Sequence, residues 1–119
     1  MPKQSDSLNW SDRVMCLCGS INLRDYCVLD KTNLATKLLD LFDTLSAVRD
    51  YYFIFHDCTQ TFHVHYVLCF VKQQYVSAIV NKLCETLNVE VEAVNYKKLL
   101  HRNAHLRYVL HIEQQYLLK

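Results

Sequence analysis

The ten residues Thr61-Phe62-His63-Val64-His65-Tyr66-Val67-Leu68-Cys69-Phe70 read as one uninterrupted β-strand. β-branched and aromatic residues dominate, and no glycine or proline breaks the run. Side chains alternate faces along a strand, so His63 and His65 leave the same side, about 7 Å apart along the chain. Two imidazoles placed like that can share one divalent ion. The same pair also suits an ordinary half-exposed strand, so the neighbouring elements have to decide.

Downstream, Val76, Ile79, Val80, Leu83 and Leu87 recur at helical spacing within residues 74–87, which predicts an amphipathic helix. Val89-Glu90-Val91-Glu92-Ala93-Val94 alternates strictly and predicts a half-exposed fourth strand. From Lys97 to the end the pattern predicts a third helix. Upstream, Cys58-Thr59-Gln60 predicts a turn, and Tyr51 to Asp57 the second strand of a hairpin. Leu34, Leu38, Leu41, Phe42 and Leu45 predict a first helix capped by Asp30 or Thr32. Arg13 to Asn22 reads as the first strand. Residues 1–12 read as a flexible N-terminal segment, and 13–119 as a single domain.

The order β-α-β-β-α-β-α predicts an α+β fold of the ferredoxin-like, split βαβ kind, with an added C-terminal helix. That arrangement packs two helices on one face of a four-stranded antiparallel sheet and leaves the other face open. A metal site on the third strand would sit on the open face. The fold by itself does not choose between RNA binders, metal binders and enzymes.

Composition narrows the classes. At 119 residues the chain suits one core, and 51% hydrophobic against 21% charged residues excludes a disordered tail. The net charge is only +1. Its distribution is uneven: Lys97, Lys98, Arg102, Arg107 and Lys119 face Glu113 alone between Asn95 and the end. A basic C-terminal segment on a mildly acidic body suits phosphate binding. The single glycine, Gly19, excludes a P-loop. Six cysteines without a Cys-x-x-Cys pair or a signal peptide predict reduced thiols and an intracellular setting. No apolar run reaches the ~18 residues of a membrane span, so no membrane partner is expected.

Three pieces in order carry a resemblance. Phe55-His56-Asp57, then His63-Val64-His65, then Arg107-Tyr108-Val109-Leu110-His111 resemble the motifs of the HUH endonucleases, the tyrosine-using initiators of rolling-circle replication. The length and single-domain layout look most like the small replication initiators (Rep) of rod-shaped archaeal viruses, the rudiviruses. The resemblance covers residues 13–119. It implies metal-dependent nicking of single-stranded or locally melted DNA at an origin, through a covalent 5′-phosphotyrosine, followed by rejoining. The chain departs from plasmid relatives in the short stretch Cys58 to Phe62, which has no room for their longer loop and its additional acidic ligand.

The resemblance implies Tyr108 as nucleophile and one divalent ion, Mn²⁺ or Mg²⁺, on His63, His65 and either His56 or Asp57. His56 matches the family's His-Asp pair; strand alternation lets only one of the two face the ion. Imidazole donors suit Mn²⁺ better than the all-oxygen shells of Mg²⁺. Bound there, the ion would polarise a phosphate oxygen. On a C-terminal helix, Leu99, Leu106, Leu110 and Leu117 would form one stripe, with Tyr108 near the opposite side beside His101, His105 and Ile112. Lys97, Lys98, Arg102 and Arg107 are the candidate DNA-backbone contacts. His111 is a candidate proton-transfer group.

A second cleavage must follow while the first tyrosine is still esterified, and only Tyr108 has the Tyr-x-x-His context. A homodimer is therefore expected. Helicase and polymerase would come from the host, since no helicase motif is present. Two other readings fit the same elements: a single-tyrosine HUH transposase, and a non-catalytic ferredoxin-like nucleic-acid-binding module that stacks bases on sheet aromatics.

Overall fold

The structure is a computed structural model that describes residues 8–57 and 62–98. Its elements are β1 (Arg13–Asn22), α1 (Lys31–Thr44), β2 (Val48–Asp57), β3 (Phe62–Tyr75), α2 (Val76–Leu87) and β4 (Val94–Lys98). Short 3₁₀ turns occupy Val28–Asp30 and Val91–Ala93.

The strands form one sheet in the order β2-β3-β1-β4, with every adjacent pair antiparallel. β1 and β2 both run opposite to β3, which therefore lies between two parallel strands joined through α1. β3 and β4 flank β1 in the same way, joined through α2. This double insertion is the expected ferredoxin-like arrangement, a small α+β domain of four antiparallel strands and two helices.

β1 has the bounds its sequence predicts. β2 starts at Val48 rather than Tyr51, and β3 runs on to Tyr75, because Val48 pairs with Phe70 while Gln74 and Tyr75 pair with Val14 and Arg13. Backbone pairing thus claims polar residues that look like the start of a helix. α2 begins only at Val76. Its first N–H groups are met by backbone oxygens from before β1: Asp12 accepts from Val76 at 2.9 Å and Trp10 from Ser77 at 3.1 Å. These replace the missing side-chain cap at Tyr75. Asp30 precedes α1, but its carboxylate accepts the Cys27 N–H at 2.9 Å and so closes the 3₁₀ turn.

The fourth strand differs from expectation. Residues 89–94 alternate in sequence, yet Asn88 ends α2 in the left-handed conformation (φ 53°) and Ala93 N–H bonds the Glu90 carbonyl at 3.0 Å to form a turn. Continuing the phase of Val89, Val91 and Ala93 would have buried Asn95 and Lys97. The turn resets that phase by one residue, so Val94 (5% exposed) faces the core while Val91 is 40% exposed. The strand is therefore Val94–Lys98, and Lys97 and Lys98 belong to it rather than to a third helix. The rest of the expected C-terminal helix lies outside the described residues.

Both helices pack on one face. Leu34, Leu38 and Phe42 of α1 and Val76, Ile79, Val80, Leu83 and Leu87 of α2 share one core with Leu17, Ile21, Phe55, Val64, Tyr66, Leu68 and Phe70 of the sheet. Tyr66 lies opposite Gly19, and its hydroxyl donates to the Asn95 carbonyl at 2.8 Å on β4. The ring must cross β1 at Gly19 to reach that oxygen. A Cβ on Gly19 would collide with the Asn95 carbonyl, so the only glycine stands where two backbones come closest. Gly19→Ala is expected to destabilise the fold by roughly 1–3 kcal/mol, the usual cost of overpacking. Urea unfolding midpoints measure it, and an unchanged midpoint would contradict the close approach.

Candidate metal centre

The alternation in β3 divides its side chains cleanly. Phe62, Val64, Tyr66, Leu68 and Phe70 face the helices. His63, His65, Val67 and Cys69 therefore face the open side. The register of the β2–β3 pair sets His56 directly opposite His63. The three imidazoles converge: one nitrogen from each lies within 4.8 Å of the others. His63 and His65 bring their Nε2 atoms to 3.0 Å. Ring centroids stand 4.7 Å apart for His63–His65, 4.9 Å for His56–His63 and 6.4 Å for His56–His65.

Those distances fit a shared ion. Two nitrogens each about 2.1 Å from one metal lie about 3.0 Å apart at a right angle and about 3.4 Å apart at the tetrahedral angle. The 3.0 Å separation of Nε2 atoms needs no rearrangement for the first case. His56 would close the third corner with a small side-chain adjustment. A His-based cluster able to coordinate a divalent ion is thus present.

The electrostatics support neutral ligands. Burial pushes His63 below the ordinary imidazole range, and the neighbouring His56 adds to it. His65 is pushed down to about 4, first by burial and then by His63 and His56. The cluster holds no carboxylate that would favour protonation of His63 or His65. At neutral pH the lone pairs of His63 and His65 are therefore available, and a cation meets little competition from protons there. Nδ1 of His65 is buried and has no hydrogen-bond partner among the described residues. A groove of about 190 Å³ opens beside that ring, lined by Gly19, Ser20, His65, Asn95, Tyr96 and Lys97.

The sequence leaves the third ligand open between His56 and Asp57. The register puts His56 with the pair, whereas Asp57 pairs with Phe62 on the opposite side of β2 and is exposed. Lys97 shares the open face with His65 and lines its groove. Lys98 points to the other side of β4. Arg102, Arg107, Tyr108 and His111 lie outside the described residues. Ser20 and Asn95 escape sequence reasoning. They meet His65 only through the pairings Ser20↔His65 and Ser20↔Asn95, and no motif or period marks them.

Comparison with models of known protein families and with curated proteins finds no match to the chain. The functional reading therefore stands on the residues and their geometry. Among the described residues no helix is long and apolar enough to cross a membrane.

Two outcomes are expected. In Mn²⁺ titrations followed by calorimetry, His63→Ala, His65→Ala and His56→Ala should each weaken binding by more than about tenfold, while Asp57→Ala keeps wild-type affinity. Loss of binding in Asp57→Ala alone would overturn the ligand set. The metal-free protein should also carry a pH signature. His65 binds its proton less readily folded than in the unfolded chain, where an imidazole titrates near ~6.5. Between about 4 and that value the unfolded chain holds more protons, so stability is full above ~6.5 and falls as the pH drops toward 4. Thermal midpoints of wild type minus His65→Asn isolate this slope from that of the carboxylates. Parallel profiles would refute it.

Proposed function

We propose that this chain is a metal-dependent DNA-nicking and joining enzyme of the HUH type, which initiates replication on single-stranded or locally melted DNA at an origin. One observation carries the reading: three imidazoles converge on the open face of the sheet, with nitrogens within 4.8 Å of one another. The order of the Phe-His-Asp, His-x-His and Tyr-x-x-His pieces in the sequence supports it. A face built to stack bases would need several aromatics instead. Tyr52 is the aromatic beside the central open-face residues Cys18, Val67 and Cys69, and the histidines hold the next rows.

A divalent ion bound to His56, His63 and His65 would supply Lewis-acid polarisation of a non-bridging phosphate oxygen. The rest is the work of the chain. Tyr108 supplies the nucleophile: its oxygen forms a bond to phosphorus while the bond from phosphorus to the 3′-oxygen breaks. The tyrosine loses its proton and the departing 3′-oxygen gains one. A phenol titrates near ~10, so Tyr108 attacks weakly unless it is held in line with the phosphate. The product is still a phosphodiester, so a free 3′-hydroxyl reverses the step without ATP. Lys97 lines the groove at His65, and a phosphate contact from it would give affinity rather than sequence choice. Two copies of the chain as a dimer would supply the second tyrosine that termination needs.

Incubation with labelled single-stranded origin DNA and Mn²⁺ should give a covalent adduct that survives denaturation. Tyr108→Phe should abolish the adduct while leaving stability unchanged, and His63→Ala or His65→Ala should abolish it with the fold intact. Peptide mapping should place the DNA on Tyr108. An adduct on Tyr96 or Tyr116, or full cleavage in excess chelator, would refute the mechanism. Mixing Tyr108→Phe with His63→Ala protein separates the ways a dimer could work: activity returns only if the tyrosine serves the partner's metal site.

A further inference from the structure

The open face carries a second cluster, distinct from the histidines. Cys16 of β1 and Cys69 of β3 are directly opposed in the register, and their Sγ atoms lie 3.2 Å apart. Opposed residues on antiparallel strands have Cα atoms about 4.5–5.5 Å apart, inside the 4.4–6.8 Å range that a disulfide spans. The sulfurs need to close by only about 1.2 Å to reach bonding distance. Along β3, Cys69 is four residues from His65, about 13 Å, so the thiols are separate from the metal centre.

We propose that Cys16 and Cys69 form a reversible cross-strand disulfide when the protein meets a peroxide. The other thiols among the described residues are placed differently. Cys18 faces Val67, Cys27 is exposed ahead of α1, and Cys84 sits on α2 on the far side of the sheet. Cys16 is half-buried and reacts first, because Cys69 is buried and its thiol is pushed up to about 12, chiefly by that burial. The Cys16 sulfur attacks one peroxide oxygen; an S–O bond forms, the O–O bond breaks, and the departing oxygen leaves as water with the thiol proton. The Cys69 sulfur then attacks the Cys16 sulfur; the S–S bond forms, the S–O bond breaks, and a second water leaves with the Cys69 proton. Two thiols and one hydrogen peroxide thus give one disulfide and two waters.

The consequence lies in the unfolded chain more than in the folded one. β1 and β3 are already paired, so the bond adds little to the native sheet. In the unfolded chain it closes a loop that contains all of α1 and β2, and long loops lose the most entropy on closure. The oxidised protein is therefore the more resistant to unfolding.

The full chain treated with hydrogen peroxide should lose two hydrogens by intact mass and yield a Cys16–Cys69 cross-linked peptide. Its unfolding temperature should rise on the order of 10 °C, and dithiothreitol should reverse both changes. Cys16→Ser should show neither change, and Cys27→Ser should show both. Because Cys69 is buried, Cys69→Ser is not needed: the cross-linked wild-type peptide reads the bond directly. The proposal is overturned if the cross-link joins other cysteines, if Cys16 stops at sulfinic acid, or if Cys16→Ser still gains the reducible stabilisation.

Discussion

The pairing of β2 with β3 in one register is the constraint on which the rest of this structure depends. With Phe55 opposite Val64 and His56 opposite His63, Phe53 and Phe55 of β2 and Phe62, Val64, Tyr66, Leu68 and Phe70 of β3 face the helices, while all three histidines lie on the opposite face. Side chains alternate with a period of two, so a slip of one residue would invert both faces at once. The register is held from the core side. Phe55 and Phe62 stack with centroids 5.8 Å apart, and Phe53 and Phe55 meet edge-on at 5.9 Å. Each large apolar side chain that such a slip exposed would cost about 1.5–3 kcal/mol. That energy keeps the imidazoles together, with the Nε2 atoms of His63 and His65 3.0 Å apart.

The cluster in fact opposes the fold mildly. Burial holds His63 and His65 below the ordinary imidazole range, and the His65 Nδ1 atom lacks a partner among the described residues. A surface selected for stability alone would put β-branched residues at these positions. An unfavourable local arrangement held by favourable packing elsewhere is the usual mark of a site with a task. Its chemistry suits a cation: three nitrogen donors of intermediate softness, on the side of the sheet opposite α1 and α2.

What the sequence makes legible follows from how local each signal is. The His-x-His strand, both described helices and β1 rest on periodicities within a dozen residues, and these survive in the structure almost unchanged. Long-range pairing is less legible. Gln74 and Tyr75 fall within the predicted helix, but β1 extends beside them and keeps them in β3. The Val-Glu alternation of residues 89–93 imitates a strand because a 3₁₀ turn can carry the same pattern, and only the free edge of β1 decides which residues pair. The choice between His56 and Asp57 is likewise a matter of register, which places one on each side of β2. Ser20 and Asn95 are invisible to any motif because their relation to His65 exists only across three strands.

Those strands are linked through the core. Tyr66 and His65 are adjacent on β3 and point to opposite faces. The Tyr66 ring passes over Gly19 and fastens the Asn95 carbonyl, which fixes β4 against β1. Once β4 is fixed, alternation turns the Asn95 and Lys97 side chains to the open face, where they line the groove at His65. The Asn95 amide reaches Ser20 Oγ at 3.4 Å on the same row. A hydrogen bond on the helix side thus sets the polar wall of the groove on the other. The glycine matters to the metal face for the same reason: a side chain at position 19 would push away the strand that carries Lys97. One residue without a side chain therefore couples the packing of the core to the charge beside the histidines.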